Sequence, residues 1–238
     1  MLLTTAYFPP IEYFSILAKY SVVYLEAHEK YQKQSWRNRC RILTANGPMD
    51  LNFPIVHDGA TLIKDIKVDW STPWLHKTEY AIDSAYYSSP FFEYYRDELF
   101  AILDSHPETL WELNLGIIGF FCRKIGICPQ ILETSEFIPA QTDRPRKGRA
   151  AHGTGVGGPC SEAEWWGRKV LPTPVEACQS VLEDNGPDCR YSIHPKLVSE
   201  YKGKDYWQVF KEKFGFVGNL SIMDLLFNEG PESLCYLR

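Results

Sequence analysis

The sequence predicts an α/β fold, in which a mixed sheet with an N-terminal hairpin packs against helices from the middle and the C-terminal end of the chain. Two observations support this prediction. Short β-branched and aromatic runs come early, and amphipathic stretches with helix-start signals follow them before a further strand-like run at 128–138. The chain has 238 residues, of which 45% are hydrophobic. This is enough apolar material to bury a substantial core.

Strand predictions rest on residue type, on alternation and on one turn. The run SVVYL at 21–25 is rich in β-branched and aromatic residues. Asn46-Gly47 separates two strand-like runs, which predicts a hairpin, and the far run alternates between apolar and polar residues over 49–55. The segment IKDIKVDW at 63–70 alternates in the same way, so we predict another strand there.

Helix predictions rest on caps and stop signals. Two segments begin with a capping Ser or Thr followed by proline, at 71–73 and at 89–90. A third helix is predicted to end at Gly126, just after two basic residues. Near the C-terminal end, 205–216 has the pattern of an amphipathic helix, and a last helix is predicted to start after Ser221.

One segment differs in composition from the rest of the chain. Residues 139–190 begin with a basic run, continue through many glycines and contain few apolar residues in their first half. Such a segment buries too little surface to offset the entropy of ordering it, so we predict a poorly ordered insertion. Residues 1–138 are then the α/β core, and 191–238 are the C-terminal helical part of the same domain. A locally shifted reading frame in the source sequence is the alternative interpretation.

Charge and motif content narrow the function classes. The net charge of −5 gives no global reason to expect nucleic acid as a partner. No apolar run approaches the roughly 20 residues that a membrane span needs. Walker, GxSxG, dinucleotide and HxxxH patterns are absent, so we expect no cofactor and no metal. The seven cysteines lack CxxC spacing, and we interpret them as reduced thiols of a cytoplasmic protein.

A candidate anion site comes from three arginines at alternate positions, Arg37, Arg39 and Arg41. On a strand, spacing by two places side chains on the same side. Guanidinium groups bind carboxylates and phosphates through paired hydrogen bonds. The alternative interpretation is a solvated strand face that arginine keeps soluble.

A candidate acid–base group lies just after the first predicted strand, where Glu26 and Glu29 flank His28. A carboxylate beside a histidine orients and polarises the imidazole, which is typical of a general base. The alternative interpretation is a surface loop that happens to carry charges.

Several stretches together resemble the WbqC-like protein family. They are TTAYFPPIEYF, YQKQSWRNRCRIL, IKDIKVDW, SAYYSSPFFEYYRDEL and YWQVFKEKFGFVGNLSIMDLLFNEGPESL. The resemblance implies a bacterial protein associated with O-antigen and capsule assembly. It also implies a transferase that places glycine or another acyl group on a nucleotide-linked aminosugar, with a sugar nucleotide or an acyl donor as partner. A non-catalytic binding protein of the same pathway is the alternative.

The resemblance also singles out residues by motif position. For the transferase hypothesis, we expect Arg37 and Arg39 to hold the diphosphate or an acyl-donor phosphate and Asn38 to bond the transferred carbonyl or a sugar hydroxyl. His28 or Glu26 then takes the proton from the sugar amine. The other residues implied in substrate binding are Tyr7, Tyr13, Tyr31, Gln34, Asn219, Asp224 and Asn228.

Overall fold

The structure, a computed structural model, describes residues 1–139 and 188–238. The predicted insertion at 139–190 therefore lies almost entirely outside the described residues. Within them, helices and strands are mixed along the chain. This arrangement confirms the predicted α/β class.

The described strands form two separate sheets, not one mixed sheet. They are Leu2–Leu3 (β1), Val22–Leu25 (β2), Arg39–Thr44 (β3), Gly47–Asn52 (β4) and Gln130–Glu133 (β5). β1, β2 and β5 pair in parallel in the order β1-β2-β5, whereas β3 and β4 form an antiparallel hairpin. The predicted hairpin is confirmed, but its two-residue turn is Ala45-Asn46, because Thr44 pairs with Gly47.

The longest helices lie between the hairpin and β5. The described α-helices are Ile11–Leu17 (α1), Trp74–Tyr86 (α2), Phe92–Asp104 (α3), Leu110–Ile125 (α4), Lys211–Phe214 (α5), Ile222–Glu229 (α6) and Ser233–Leu237 (α7). α4 is the central helix of the core, since most of its side chains are buried and it contacts both α3 and α6.

The sequence correctly predicts the end of α4 and the start of α6. Thr109 and Glu112 form a reciprocal capping box at the start of α4, with hydrogen bonds of 3.1 and 3.2 Å. Gly126 ends the same helix in the left-handed region at φ +81°. Ser221 caps α6, and Gly230 terminates it. These boundaries depend on neighbouring residues alone, which is why sequence finds them.

Other local predictions are wrong. The helices predicted from 71–73 and 89–90 exist, but Pro73 and Phe91 are the capping residues and neither makes a side-chain cap. The segment 63–70 is a short 3-10 helix with isolated bridges, because its backbone bonds to several separate parts of the chain. In 205–216 only the four residues of α5 are helical.

The segment before the undescribed range and the segment after it contact each other directly. Arg190 Nη1 donates a hydrogen bond of 2.6 Å to the carbonyl of Ile138. Asp188 forms a parallel bridge with Leu2, next to β1. This contact is compatible with an insertion that leaves and re-enters one domain, although the division into three parts stays a prediction.

Two further features bear on the cellular setting. Cys40, Cys122, Cys189 and Cys235 are free thiols. Cys128 is disulfide-bonded, so the interpretation of all seven cysteines as reduced is wrong at that residue. Among the helices of the described residues, none combines the length and the apolarity that crossing a membrane requires.

Candidate functional site

A layer of buried charged side chains lies at the carboxyl edge of the parallel sheet. It consists of Glu26, Glu29, Arg37 and Arg190, and we call it the polar layer. Glu26 directly follows β2, and Glu29 lies three residues further along the chain. Each glutamate pairs with one arginine, Glu26 with Arg190 at 3.0 Å and Glu29 with Arg37 at 2.6 Å. The carboxyl edge is where parallel α/β sheets usually place their binding sites.

Glu26 is fully engaged by the protein itself. Its Oε1 accepts hydrogen bonds from the His28 backbone N–H at 3.0 Å and the Thr134 hydroxyl at 2.8 Å. Its Oε2 accepts from the Ile138 backbone N–H and from Arg190, both at 3.0 Å. With four donors around a completely buried carboxylate, the geometry argues against the predicted role of Glu26 as the base.

The Arg37 side chain points into the interior of the protein. It lies two residues before the start of β3, and its side chain is 2% exposed. Nε and Nη2 donate to the two carboxylate oxygens of Glu29 at 2.8 and 2.6 Å, and the Thr4 hydroxyl donates to the same carboxylate. The expectation that three arginines share one side of a strand is therefore wrong for Arg37. The contact between Arg37 and a ligand remains a prediction that this geometry does not favour.

Arg39 and Arg41 do lie on one face of the hairpin, and Asp50 lies opposite them. Arg41 is satisfied, because Nε and Nη2 donate to Asp50 at 2.7 and 3.2 Å. Arg39 is not: its nearest carboxylate contact is Nη1 to Asp50 at 3.7 Å, and within the described residues its Nε has no partner. Both side chains are partly exposed, at 28% for Arg39 and 41% for Arg41, and Arg39 is the one that lacks a close carboxylate partner.

An open cleft of about 240 Å³ lies beside the hairpin. Its lining includes Glu12 from α1, Trp36 and Arg41 from the hairpin region, His194 and Asn219. We call it the arginine cleft. Arg37 directly follows Trp36, and Arg190 lies four residues before His194. The two buried ion pairs of the polar layer therefore anchor two of the segments that line the cleft.

Glu12 presents a carboxylate to this cleft. Its Oε2 accepts hydrogen bonds from the Asn219 side-chain amide at 3.1 Å and the Ser199 hydroxyl at 2.7 Å. The Asn219 Oδ1 accepts the backbone N–H of Glu12 at 2.9 Å, which fixes the amide orientation. Oε1 has no hydrogen bond to any described residue. The carboxylate is thus held by one oxygen and open at the other.

His194 is a neutral hydrogen-bond donor in the cleft. Burial, followed by the charges of Arg37, Lys196 and Arg39, lowers the pKa of the imidazole below its ordinary value. The ring is therefore mostly uncharged at neutral pH. Nδ1 accepts the backbone N–H of Lys196 at 3.2 Å, so the single proton of the neutral ring lies on Nε2.

The remaining residues around the predicted core motif lie in mixed positions. His28 is half-buried, and its ring makes no hydrogen bond within the described part of the chain. Tyr31 is half-buried, and Gln34 is exposed with a positive φ of 58°. Asn38 donates its side-chain amide to the carbonyl of Phe53 at 3.0 Å, so it ties the hairpin to the following segment.

Two tyrosines predicted to bind substrate belong to the core. Tyr7 is fully buried, and its ring packs edge-on against Phe8 and Phe53 at centroid distances of 4.5 and 4.8 Å. Tyr13 is buried and donates its hydroxyl to the carbonyl of Thr4 at 3.0 Å. Neither ring lines the arginine cleft. Their roles as ligand contacts remain predictions that burial does not favour.

Asp224 and Asn228 belong to a buried polar network. The Asp224 carboxylate accepts hydrogen bonds from Tyr206 at 2.5 Å and Gln208 at 2.8 Å. Asn228 donates to the Asp224 backbone carbonyl at 2.7 Å. Burial raises the pKa of Asp224 to about 6, and hydrogen bonds from Tyr206 and Gln208 oppose this rise. The network stabilises α6 rather than facing the cleft.

The raised pKa of Asp224 predicts a pH dependence of stability. A carboxyl that holds its proton more tightly when folded stabilises the protein below its unfolded pKa, near 4, and this stability is lost as pH rises through about 6. Over this window the loss is on the order of 3 kcal/mol, taking about 1.4 kcal/mol per pKa unit. In urea unfolding at several pH values, the fall in the free energy of unfolding between about pH 4 and 6 should be absent in Asp224→Asn. The exposed Asp205→Asn serves as control, and equal pH slopes in both variants would contradict the assignment.

Sequence reasoning missed Glu12 and His194. Glu12 lies inside the opening stretch that carries the family resemblance, next to Tyr13, but its neighbours in the cleft come from the distant segments around 199 and 219. His194 shows no motif spacing at all. Asn219 is the predicted residue that the structure does place in the cleft. Within residues 1–139 and 188–238, no group of three or more His, Cys, Asp or Glu side chains is arranged to hold a metal ion.

Fold and site together define an α/β protein whose polar layer supports a small, mixed-charge cleft. The chain belongs to the WbqC-like protein family, whose sequence model matches residues 5–151. It is also similar to the uncharacterized protein Rv1507c of Mycobacterium tuberculosis, with 26% identity over 245 aligned positions that cover 98% of this chain and 94% of that protein. No solved structure matches the chain.

Proposed function

We propose that this WbqC-like protein is a cytoplasmic transferase that places a glycyl or other acyl group on the amine of a nucleotide-linked aminosugar, for surface polysaccharide biosynthesis. One observation carries the proposal. A single cleft presents a carboxylate with a free oxygen, Glu12, and a neutral N–H donor, His194, with an under-paired guanidinium, Arg39, close enough to affect that histidine. Membership of the family supports the same reading.

These groups match the needs of amine acylation. The sugar ammonium first loses a proton to the free Oε1 of Glu12, and the resulting amine attacks the donor carbonyl carbon. Charge develops on the carbonyl oxygen, where the Nε2–H of His194 donates a hydrogen bond. The new C–N bond forms and the bond to the leaving thiol or alcohol breaks, the second proton lost by the attacking nitrogen passes to the leaving group, and the proton taken by Glu12 is released to solvent. His28 thus gives way to Glu12 as the proposed proton acceptor.

Arg39 and Trp36 supply binding rather than chemistry. The Arg39 guanidinium, 28% exposed and 3.7 Å from its nearest carboxylate, binds a phosphate of the acyl donor through its Nη groups. Trp36 is half-buried, and the Arg41 guanidinium carbon lies 5.8 Å from its ring centroid, which holds the indole at the cleft wall. An apolar ring face of this kind packs against the C–H face of a sugar.

A non-catalytic binding protein of the same pathway is the second candidate. The geometry around His28 favours this candidate, because it does not assemble the predicted base. All four acceptor positions that Glu26 uses are filled by the protein, and the His28 ring has no orienting partner within the described residues. Such a protein needs Arg39 and Trp36 but has no use for the free oxygen of Glu12.

The test is to incubate the purified protein with nucleotide-linked aminosugars and a panel of acyl-CoA and glycyl donors, and to detect the amide by mass spectrometry. We expect one donor–acceptor pair to give an amide product. The matched control is the sugar nucleotide that carries a hydroxyl in place of the amine. Binding of the aminosugar without product from any donor would replace the transferase proposal with the binding protein.

A further inference from the structure

A second cavity of about 220 Å³ shares the lining residues Gly218 and Asn219 with the arginine cleft. Its walls are apolar and aromatic, with Tyr201, Phe216 and Tyr236 among the lining residues. We call it the aromatic cavity. It has no part in the acyl-transfer chemistry described above, and its lining residues come mostly from 201–218 and from the C-terminal helices.

We infer that the aromatic cavity binds the nucleoside of a nucleoside diphosphate, with Lys202 and Lys204 at the phosphates. The inference rests on the proposed function in one respect, since it places the nucleotide half of the acceptor there and the aminosugar in the arginine cleft. Aromatic walls accept the flat face of a nucleobase. Lysine ammonium groups bind phosphate oxygens.

The two lysines are suited to this role. Both line the aromatic cavity and both are exposed, one on each side of Gly203. Lys204 donates to the backbone carbonyl of Cys235 at 2.7 Å, which fixes its position beside the cavity. Lys202 makes no ion pair or hydrogen bond within the described residues. The cavity therefore carries positive charge that no neighbouring carboxylate neutralises by direct contact.

The aromatic wall is held in place by local contacts. The Tyr201 hydroxyl donates to the carbonyl of Tyr236 at 3.4 Å. Tyr206 packs edge-on against Phe216 at 5.2 Å. Gly203 lies so close to the Tyr201 ring that an added Cβ would come within 2.8 Å of it. A side chain at 203 must therefore displace that ring.

Size favours one ligand across both cavities. Each is smaller than the roughly 300–1,000 Å³ typical of small-molecule sites, whereas the pair falls within that range. Gly218 and Asn219 line both, and their backbone N–H groups donate to no acceptor in the described part of the chain. Asn219 has a left-handed φ of 53°. Unpaired N–H groups at such a bend favour an anion between the two cavities.

Isothermal titration calorimetry with ADP, GDP, CDP, UDP and dTDP tests the inference without any acyl donor. We expect at least one diphosphate to bind, and the double variant Lys202→Ala/Lys204→Ala to weaken its Kd about tenfold or more, equivalent to about 1.4 kcal/mol. Gly203→Ala should weaken it as well. The exposed pair Lys19→Ala/Lys77→Ala is the charge-matched control and should leave the Kd unchanged.

The outcomes separate this inference from the proposed function. Binding that neither the lysine pair nor Gly203→Ala affects would overturn the aromatic cavity as the site. Absence of binding by every diphosphate would overturn it too, while acyl transfer to the aminosugar could still be observed in the product assay. Conversely, diphosphate binding that depends on Lys202 and Lys204, with no amide product from any donor, would uphold the cavity and remove the transferase.

Discussion

Replacing Arg190 with alanine is expected to lower the free energy of unfolding by about 3–5 kcal/mol, the range observed when one partner of a buried ion pair is removed. The Arg190 side chain is fully buried and bonds Glu26 at 3.0 Å, Asp188 at 2.6 Å and the Ile138 carbonyl at 2.6 Å. Once the arginine is removed, the Asp188 carboxylate, which is 28% exposed, can be hydrated by solvent, whereas the fully buried Glu26 carboxylate cannot. The cost therefore comes from the carboxylate that is left behind.

The matched control is Arg96→Ala. Arg96 also makes a two-point contact with one carboxylate, through Nε and Nη2 to Asp83 at 2.7 and 3.0 Å, but its side chain is 39% exposed. Exposed pairs of this kind contribute about 1 kcal/mol or less. Urea unfolding followed by circular dichroism measures both variants. Equal losses for Arg190→Ala and Arg96→Ala would show that the polar layer is not a structural anchor.

The parts of the fold that sequence predicts well are those that neighbouring residues determine. The end of α4 at Gly126 and the start of α6 after Ser221 are predicted correctly, because the residues at each boundary set it themselves. The helix predicted over 205–216 is largely wrong, although the apolar pattern suits one. Tyr206 and Gln208 are buried while their neighbours 205 and 207 are exposed, because the Gln208 side chain bonds Asp224 and both the N–H and the carbonyl of Val217. Contacts from distant segments override the local preference there.

The candidate site was predicted less well, because its geometry depends on contacts between segments that are distant in the sequence. The alternating arginines suggested a common face, but Arg37 precedes β3 and pairs with Glu29, and no local pattern reveals that pairing. Asn219 was found only through the family resemblance. Glu12 and His194 come from opposite ends of the chain and meet only in the folded protein, so spacing carries no signal for them.

Replacing Glu12 with glutamine is expected to lower kcat about 10²–10⁴-fold, the usual contribution of a positioned proton acceptor. The amide oxygen of glutamine can still accept the hydrogen bonds from Asn219 and Ser199, so the cleft keeps its shape. What the variant lacks is a group that takes a proton from the sugar ammonium. Steady-state kinetics of amide formation should therefore show a fall in kcat with KM changed only a few-fold.

Two further variants decide whether Glu12 acts in the chemistry or only in the fold. Glu12 lies in the first turn of α1, where loss of its charge costs roughly 0.3–1 kcal/mol, so the melting temperature should fall by no more than a few degrees. Glu12→Asp keeps the carboxylate and should recover part of the lost activity. His28→Ala, which removes the base that the sequence predicts, should stay close to wild type. Full activity in Glu12→Gln together with inactivity in His28→Ala would contradict the proposal. It would show that His28 in the loop after β2 accepts the proton and that Glu12 only holds Asn219 in place.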